Sequence, residues 1–478
     1  MKKIIHGMLS SLVLFSLILL DAHVAPAAGA AVAFDSACTQ GSEALKAAPV
    51  AAPPVTPWPL LKNQPYGPFK VSFGGDSRLR YESRQDYYND TGIQNDDGLW
   101  FLRTRINIGV AAGDHLSFFI EGLDAREWES DPSPNPQEDN LDLHQAFVKV
   151  AKPADLPLSL TVGRQKLEYG AKRLIAAPQW SNRIRSFDAV RLSYTPSWFG
   201  DIDFFFANQV IYDDNNLNNP RWGENFFGVY STYKKIPNQV FDLYWLALYD
   251  NRHEVSGEIG GQQPEDLERY TVGTRGEGKI PGIANLGYGY EVAYQYGDNG
   301  PDDISAYGWH ADLNYTFSTL RYKPKVTLDC NVASGDDDPT DGDAETFNPL
   351  FQTTHDPYGI IDFFRWQNVN HYGLICDLAL HPKVKTSIQY HRFYLDEKED
   401  AWYNSSGRKI RQDKNGNSDD YVGDELDWFV RYQVLSYLCF ETGYAHFFAG
   451  DFVEDTDDLT GKGDSDSDWF YAQAVFTF

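Results

Sequence analysis

The sequence is poor in sulfur and in long apolar stretches. Its 478 residues include 4 Cys and 2 Met. Cys330, Cys376 and Cys439 have no metal-like spacing and, as an odd number of scattered thiols, no disulfide framework; they read as small apolar residues. Cys38 lies in "DSAC", where Asp35 replaces the leucine of a lipoprotein signal, so acylation is not expected. Beyond the N-terminal segment no apolar run reaches the roughly 20 residues a membrane helix needs, and mean hydropathy is −0.46. A helical membrane protein is thereby excluded. Positive charge is also scarce, 41 Lys and Arg against 68 Asp and Glu for a net charge of −27. That balance removes nucleic acid as a partner held by a general positive field. None of these absences excludes a membrane β-barrel, whose strands need only every second residue apolar.

What is abundant is aromatic: 15% of the chain, with 29 Tyr and 12 Trp. At the N-terminus Lys2 and Lys3 precede "MLSSLVLFSLILL" and the small residues of "APAAGAAVA". Residues 1–30 therefore read as a cleaved secretory signal. Residues 31–68, with "APVAAPPVTPWP", lack periodicity and read as a Pro/Ala-rich periplasmic leader. From 69 to 478, segments of about ten alternating residues recur without sustained helical periodicity. Eighteen strands are expected: 69–83, 100–111, 116–128, 142–151, 158–165, 188–196, 200–210, 225–233, 241–251, 269–278, 286–297, 304–317, 324–334, 370–381, 386–395, 424–434, 438–447 and 468–478.

The connections alternate in length. Short ones such as "AGDH" (112–115), "KPADLP" (152–157) and "LSY" (435–437) interleave with long polar ones such as 165–187, 335–369 and 396–423. Outer-membrane barrels place short turns in the periplasm and long loops outside. The fold class is therefore all-β, a transmembrane antiparallel β-barrel of about 18 strands with short periplasmic turns and long extracellular loops. Strand faces agree: Trp100, Leu102, Ile106, Ile108 and Val110 alternate with Phe101, Arg103, Arg105, Asn107 and Gly109. The first set is expected to face lipid and the second a wet interior. Tyr194, Trp198, Tyr288, Tyr294, Tyr296, Trp469 and Tyr471 are expected in interfacial girdles. In the closing "DSDWFYAQAVFTF", the even set Phe470, Ala472, Ala474, Phe476 and Phe478 forms a lipid face, and this strand should pair with the first and remove the sheet edges. Eighteen strands exceed what wall side chains alone can fill, so a lumen is expected.

Acidic residues concentrate in the expected outer loops, as in "NDDG" (95–98), "GDDDPTDGD" (335–343), "DEKED" (396–400) and "EDTDD" (454–458). Basic residues favour inward parities: Arg78, Arg80, Arg103, Arg105, Lys149, Arg191, Arg275 and Arg431. More arrive in 163–187, with Arg164, Lys166, Lys172, Arg173, Arg183 and Arg185. A cationic constriction between low-dielectric walls would concentrate an anionic solute, and Arg grips carboxylates bidentately. The plainer reading pairs these arginines with Asp76, Glu82, Glu121, Glu291 or Glu425 to give a nearly neutral wall.

The stretch "VGRQKLEYGAKRLIAAPQWSNRIRSFDAVRLSY" resembles the alginate-export family of outer-membrane proteins. The likeness rests on Gly163, Arg164, Gln165, Tyr169, Gly170, Arg173, Leu174, Trp180, Ser181, Asn182, Arg185, Phe187, Asp188, Val190 and Arg191. The resemblance implies a monomeric barrel that passes an anionic polysaccharide, an alginate-like polyuronate or its oligomers, by passive diffusion through an arginine-rich pore. It makes Arg164, Arg173, Arg185 and Arg191 the expected path residues, and parity adds Arg78, Arg80, Arg103, Arg105 and Arg431. The expected partners are outer-membrane lipid, lipopolysaccharide and the anionic sugar.

Two other classes compete. A general or sugar-uptake porin would use inward aromatics such as Phe101 and Phe147. An enzyme would need a nucleophile beside one of the histidines, and His144, His310, His391 and His446 sit in no such motif, so no catalysis and no organic cofactor are expected. For metal, "DKNGNSDDYVGD" spaces Asp413, Asn415, Asn417, Asp419 and Asp424 like a calcium loop, with Ser418 in place of the turn glycine and Asp424 in place of the bidentate Glu. "GDDDPTDGD" offers oxygen ligands in no pattern; calcium in the acidic loops, or ions bridging to lipopolysaccharide, is the alternative to plain solvation.

Overall fold

In the computed structural model the described residues are 62–87, 97–128, 137–213, 216–259, 263–353, 355, 357–456 and 463–478. The expected signal segment and most of the leader lie outside them. Among the described residues eighteen antiparallel strands close into a barrel, each paired to its chain neighbours. It opens with Phe69–Gln85, Asp97–Ala112 and Leu116–Trp128 and ends with Tyr421–Leu435, Leu438–Ala449 and Ser467–Thr477. All eighteen expected strands are present, and their ends move by four residues or fewer, as at Gln239–Val255 and Glu265–Lys279. The short segments Gln64–Tyr66, Asn219–Pro220 and Asp343–Ala344 extend the same sheet. The first of these, assigned to the leader by its Pro-rich context, folds back on the opening strand through Gln64↔Val71.

Closure joins the two ends of the sequence. Ser467–Thr477 pairs with Phe69–Gln85 from Asp76↔Thr477 to Gln85↔Asp468. Gly75 N donates to the Phe478 carbonyl at 3.1 Å and Phe478 N returns the bond at 3.0 Å. A hydrocarbon medium offers no water to unpaired backbone groups, so this seam lets the sheet reside there without an edge. Both strands reach the end of the barrel that carries the short connections, such as 113–115 and 436–437.

Parity sorts the side chains as expected. Ile106 and Ile108 are exposed on the lipid side, whereas Phe101, Arg103 and Arg105 are buried inside. Leu426 and Trp428 face out; Glu425, Asp427 and Phe429 face in. Trp198, Tyr294 and Tyr296 are exposed, as girdle residues should be. Trp469 and Tyr471 are a correction, because both are buried at 2% and 1% exposure and belong to the inward parity of the closing strand. A second correction concerns Cys439, which is disulfide-bonded, while Cys330 and Cys376 are free.

The interior holds loops as well as side chains. Residues 166–186, 345–353 and 357–368 fold back inside the ring, with Leu174, Ile175, Phe347, Ile360, Phe363 and Trp366 joining one apolar cluster. The hairpin Ala401–Tyr403/Lys409–Gln412 and the short helix Asp451–Asp455 complete it through Trp402, Ile410 and Phe452. The expected lumen is thus largely filled, and the filling comes from the long loops that composition marks only as polar.

Replacing Ile106, near the middle of its strand on the lipid face, with Arg should cost about 2–4 kcal/mol of stability. Denaturant titration of the barrel in lipid vesicles measures this; a loss below about 0.5 kcal/mol would place Ile106 away from the hydrocarbon.

Candidate solute path

The loop 166–186 is shaped by its own sequence. Gly170 adopts φ +54°, and a Cβ there would approach the Tyr230 hydroxyl to 2.5 Å, so only glycine lets the chain turn against the wall. Tyr169 stacks on Tyr230 with centroids 4.6 Å apart and donates to Asp203 Oδ2 at 2.8 Å. From there the loop crosses the interior to Trp180, whose ring packs on Trp469, Tyr471 and His355. That contact explains the inward aromatic face of the closing strand.

Three of the arginines expected on the path hold this loop. Arg103 Nη1 donates to the Gln179 and Ser181 carbonyls at 2.7 and 2.8 Å. Arg78 Nη1 reaches Gln179 O at 3.0 Å, and Arg80 Nη1 reaches Trp180 O at 2.8 Å. The Arg80 guanidinium also lies 3.9 Å from the Trp180 ring centroid. All three point inward as parity requires, but their exposure is 0–2%, and they lie beneath 179–182 instead of facing an open bore. Carboxylate partners match the plainer expectation: Arg80 with Glu82 at 2.8 Å, Arg103 with Asp76 at 3.7 Å, and the neighbouring Arg105 Nε with Asp76 at 2.7 Å.

The motif arginines also divide. Arg164 forks onto Asp188 at 2.8 and 3.0 Å, tying neighbouring strands together. Arg185 Nη1 donates to Ala176 O at 3.1 Å and to Phe351 O at 2.6 Å, so it joins the two inserted loops. Those loops meet directly as well, through Ala176 N to Phe351 O at 2.8 Å and Phe351 N to Leu174 O at 2.9 Å. Arg191 is half-buried, 4.0 Å from Asp203, and Arg431 Nε bonds Glu441 at 2.6 Å. Arg173 alone among the motif arginines lines a 240 Å³ internal cavity.

That cavity, about 240 Å³, lies on the short-turn side of the inserted loops. Arg173 enters from the loop, with Nη2 on His310 Nε2 at 3.0 Å and Nη1 3.9 Å from Glu291. The wall adds Arg275, Lys325, Asp312, Asp329 and Asp377. Arg275 is held by Asp242 at 2.9 Å. Parity places both Arg275 and Lys325 inward, although only Arg275 was counted among the basic lining residues; Lys325 opens Lys325–Ala333.

His144, His310, His391 and His446 each take hydrogen-bond partners. His144 contacts Glu121 at 2.7 Å, and His310, Asn331, His371 and His391 form a buried relay with steps of 2.8 Å. Of the expected calcium ligands, Asp413 already accepts backbone N–H bonds from Asn415, Asn417 and Ser418 at 2.8–3.0 Å. Asp419 accepts from Tyr421 N, and Asp424 is forked by Arg392 at 2.8 and 2.9 Å. Strand pairing carries Asp424 onto the wall beside Arg392.

A closed antiparallel ring, apolar outside and polar within, with long loops folded into its bore, defines an outer-membrane channel of the porin type. The sequence profile described as alginate export matches residues 69–463, so the chain belongs to the alginate export family. Solved structures with a similar fold include Acinetobacter baumannii OccAB1, at TM-score 0.58 and 12% identity over 85% of this chain and 96% of that one. Pseudomonas aeruginosa OccK11 (OpdR) is similar at TM-score 0.53 and 13% identity, covering 86% and 96%. P. aeruginosa OccK2 (OpdF), solved in complex with glucuronate, is similar at TM-score 0.55 and 10% identity, covering 85% and 98%. No curated protein sequence matches the chain.

Removing Arg80 and Arg103 together, each to Ala, deletes three charge-assisted hydrogen bonds to 179–181, each worth about 1.5–3 kcal/mol. Single-channel conductance in planar bilayers should rise severalfold; an unchanged conductance would show that other contacts hold the loop.

Proposed function

We propose that this outer-membrane channel passes acidic sugars of the uronate class, as short oligomers of an alginate-like polyuronate, by passive and electrostatically selective diffusion. The observation that carries this reading is the mixed-charge cavity at Arg173. A uronate presents one carboxylate and several hydroxyls on each ring. Arg173 and Lys325 offer cations for the carboxylate, while Asp312, Asp329 and Asp377 are acceptors for hydroxyl donors. Such a wall discriminates by matching both kinds of group, where a purely cationic bore would take any anion. Family membership and the glucuronate named with OccK2 support the same solute class.

The inserted loops favour oligomers over a continuous polymer. Moving a long chain outward would require 166–186 and 345–368 to leave a packed apolar cluster. A sugar-uptake porin is the second reading, favoured by the neutralised arginines Arg105, Arg164 and Arg431. Both readings share the channel and differ in selectivity.

Arg173→Ala combined with Lys325→Ala should weaken current block by glucuronate or a uronate oligomer about tenfold, the equivalent of one lost charge-assisted contact of about 1.4 kcal/mol. Glucose permeation in liposome swelling should stay the same. Equal block of the variant and the parent would remove the uronate assignment and leave the neutral-sugar porin.

A further inference from the structure

Three arginines inside the ring differ from the rest in having no carboxylate beside them. Arg185 lies at the end of the first inserted loop, Arg365 in the second, 357–368, and Arg269 on the inward parity of Glu265–Lys279. Arg269 and Arg365 are 7% and 8% exposed, and Arg185 is partly buried. Among the described residues none of the three has an ion-pair partner. The ionisable groups around Arg365 are Arg185 and Arg269, of its own sign, then Tyr403 and Tyr358. Glu224, the acid that faces Arg185, is already engaged by Arg221 at 3.1 Å.

Their N–H groups are also short of acceptors. Arg365 Nε and Arg269 Nε are enclosed and without a hydrogen-bond partner. Arg269 makes one long bond, from Nη2 to Asn299 Oδ1 at 3.3 Å. Gln352 stands between the two loops: its backbone carbonyl accepts from Arg185 Nη1 at 3.1 Å, and its Oε1 accepts from Trp366 N at 3.3 Å, next to Arg365. Its Nε2 is another buried donor without a partner. The place of Arg365 is nonetheless built. Gly407, at φ +87°, turns the hairpin Ala401–Tyr403/Lys409–Gln412 against the guanidinium, and a Cβ there would lie 1.8 Å from Nη1. Burying a guanidinium without a counter-charge is costly, and gathering several of one sign is costlier, unless an anion completes them.

We infer that Arg185, Arg269 and Arg365, with the Gln352 amide, form a binding site for a small dianionic oxyanion, phosphate or sulfate, that locks both inserted loops to the barrel wall. The donor set selects this class. Guanidinium and amide N–H groups only donate, and a tetrahedral oxyanion accepts on every side. A uronate ring carries hydroxyl donors as well; the carboxylates that would accept from them line the Arg173 cavity and are missing from the groups around Arg365. The two sites are separate, because Arg269 and the cavity residue Arg275 lie on one strand about 20 Å apart at the usual rise per residue. Lipid phosphate does not enter, since Arg269 shares the inward parity of Thr271 and Arg275. Without the anion, like charges on two loops and the wall repel; with it, they are drawn together. The oxyanion thereby sets how firmly the bore is filled.

The test is calorimetric titration of sodium sulfate, and separately sodium phosphate, into the full-length barrel refolded in detergent without lipopolysaccharide, at neutral pH with NaCl holding ionic strength constant. One saturable site is expected for each anion. Arg365→Gln or Arg269→Gln should weaken it about tenfold, the loss of one charge-assisted contact, while Arg321→Gln on a short turn leaves it unchanged. In planar bilayers sulfate should reduce large openings of the parent and not those of Arg365→Gln. Heat-modifiable gel mobility confirms folding first; if Arg365→Gln does not fold, Arg269→Gln carries both measurements. Absence of saturable binding, binding that survives the folded variants, loss in Arg321→Gln, openings indifferent to sulfate, or glucuronate binding equally tightly in competition would each overturn the inference. It stands or falls apart from the uronate reading, which is measured at Arg173 and Lys325.

Discussion

The structure depends on the seam between the first and last strands. A backbone in hydrocarbon must bond every N–H and C=O internally, and a sheet can do so only by closing on itself. Here Gly75 and Phe478 complete that closure at the barrel end. Once the ring is shut, one parity of every strand is committed to lipid and the other to an enclosed space. Charge on the inner parity then has a low-dielectric wall behind it and no bulk water in front of it. It must be matched or filled.

The long loops fill it. Arg78, Arg80 and Arg103 would be costly charges on a bare inner wall, and loop carbonyls at 179–181 relieve that cost while receiving three anchors in return. The apolar members of 166–186 and 345–368 bury against the inward aromatics, including Trp469 and Tyr471. A small cavity of mixed sign lies on the short-turn side, and the proposed solute reading rests on that mixture. Plugging and the proposed selectivity thus follow from a single packing arrangement.

The alternating segments made the barrel legible from sequence. Period-two patterning is a local property, and at Leu116–Trp128 and Leu158–Gln165 it gave strand ends that coincide with the structure. The inward direction of Arg103 or Arg431 was legible for the same reason. The partner each inward charge takes was not. Arg103 contacts residues 76 and 78 positions away, and Arg185 contacts Phe351, 166 positions away. Trp469 was misassigned to a girdle because aromatic residues near strand ends suit either face, and only its odd parity, shared with buried Gln473 and Val475, separates the two.

By itself the sequence determined the strand number, the two faces, the turn-length polarity and the family, because each is written in spacing between residues close in the chain. Only the tertiary structure decided which arginines line a cavity and which clamp a loop, and how far the bore is filled. It also decided which acidic loops meet: Asp336 of "GDDDPTDGD" gains Glu258 as a neighbour through the pairing of successive strands. Charges act through space, and the distances that set their roles exist only in the folded ring.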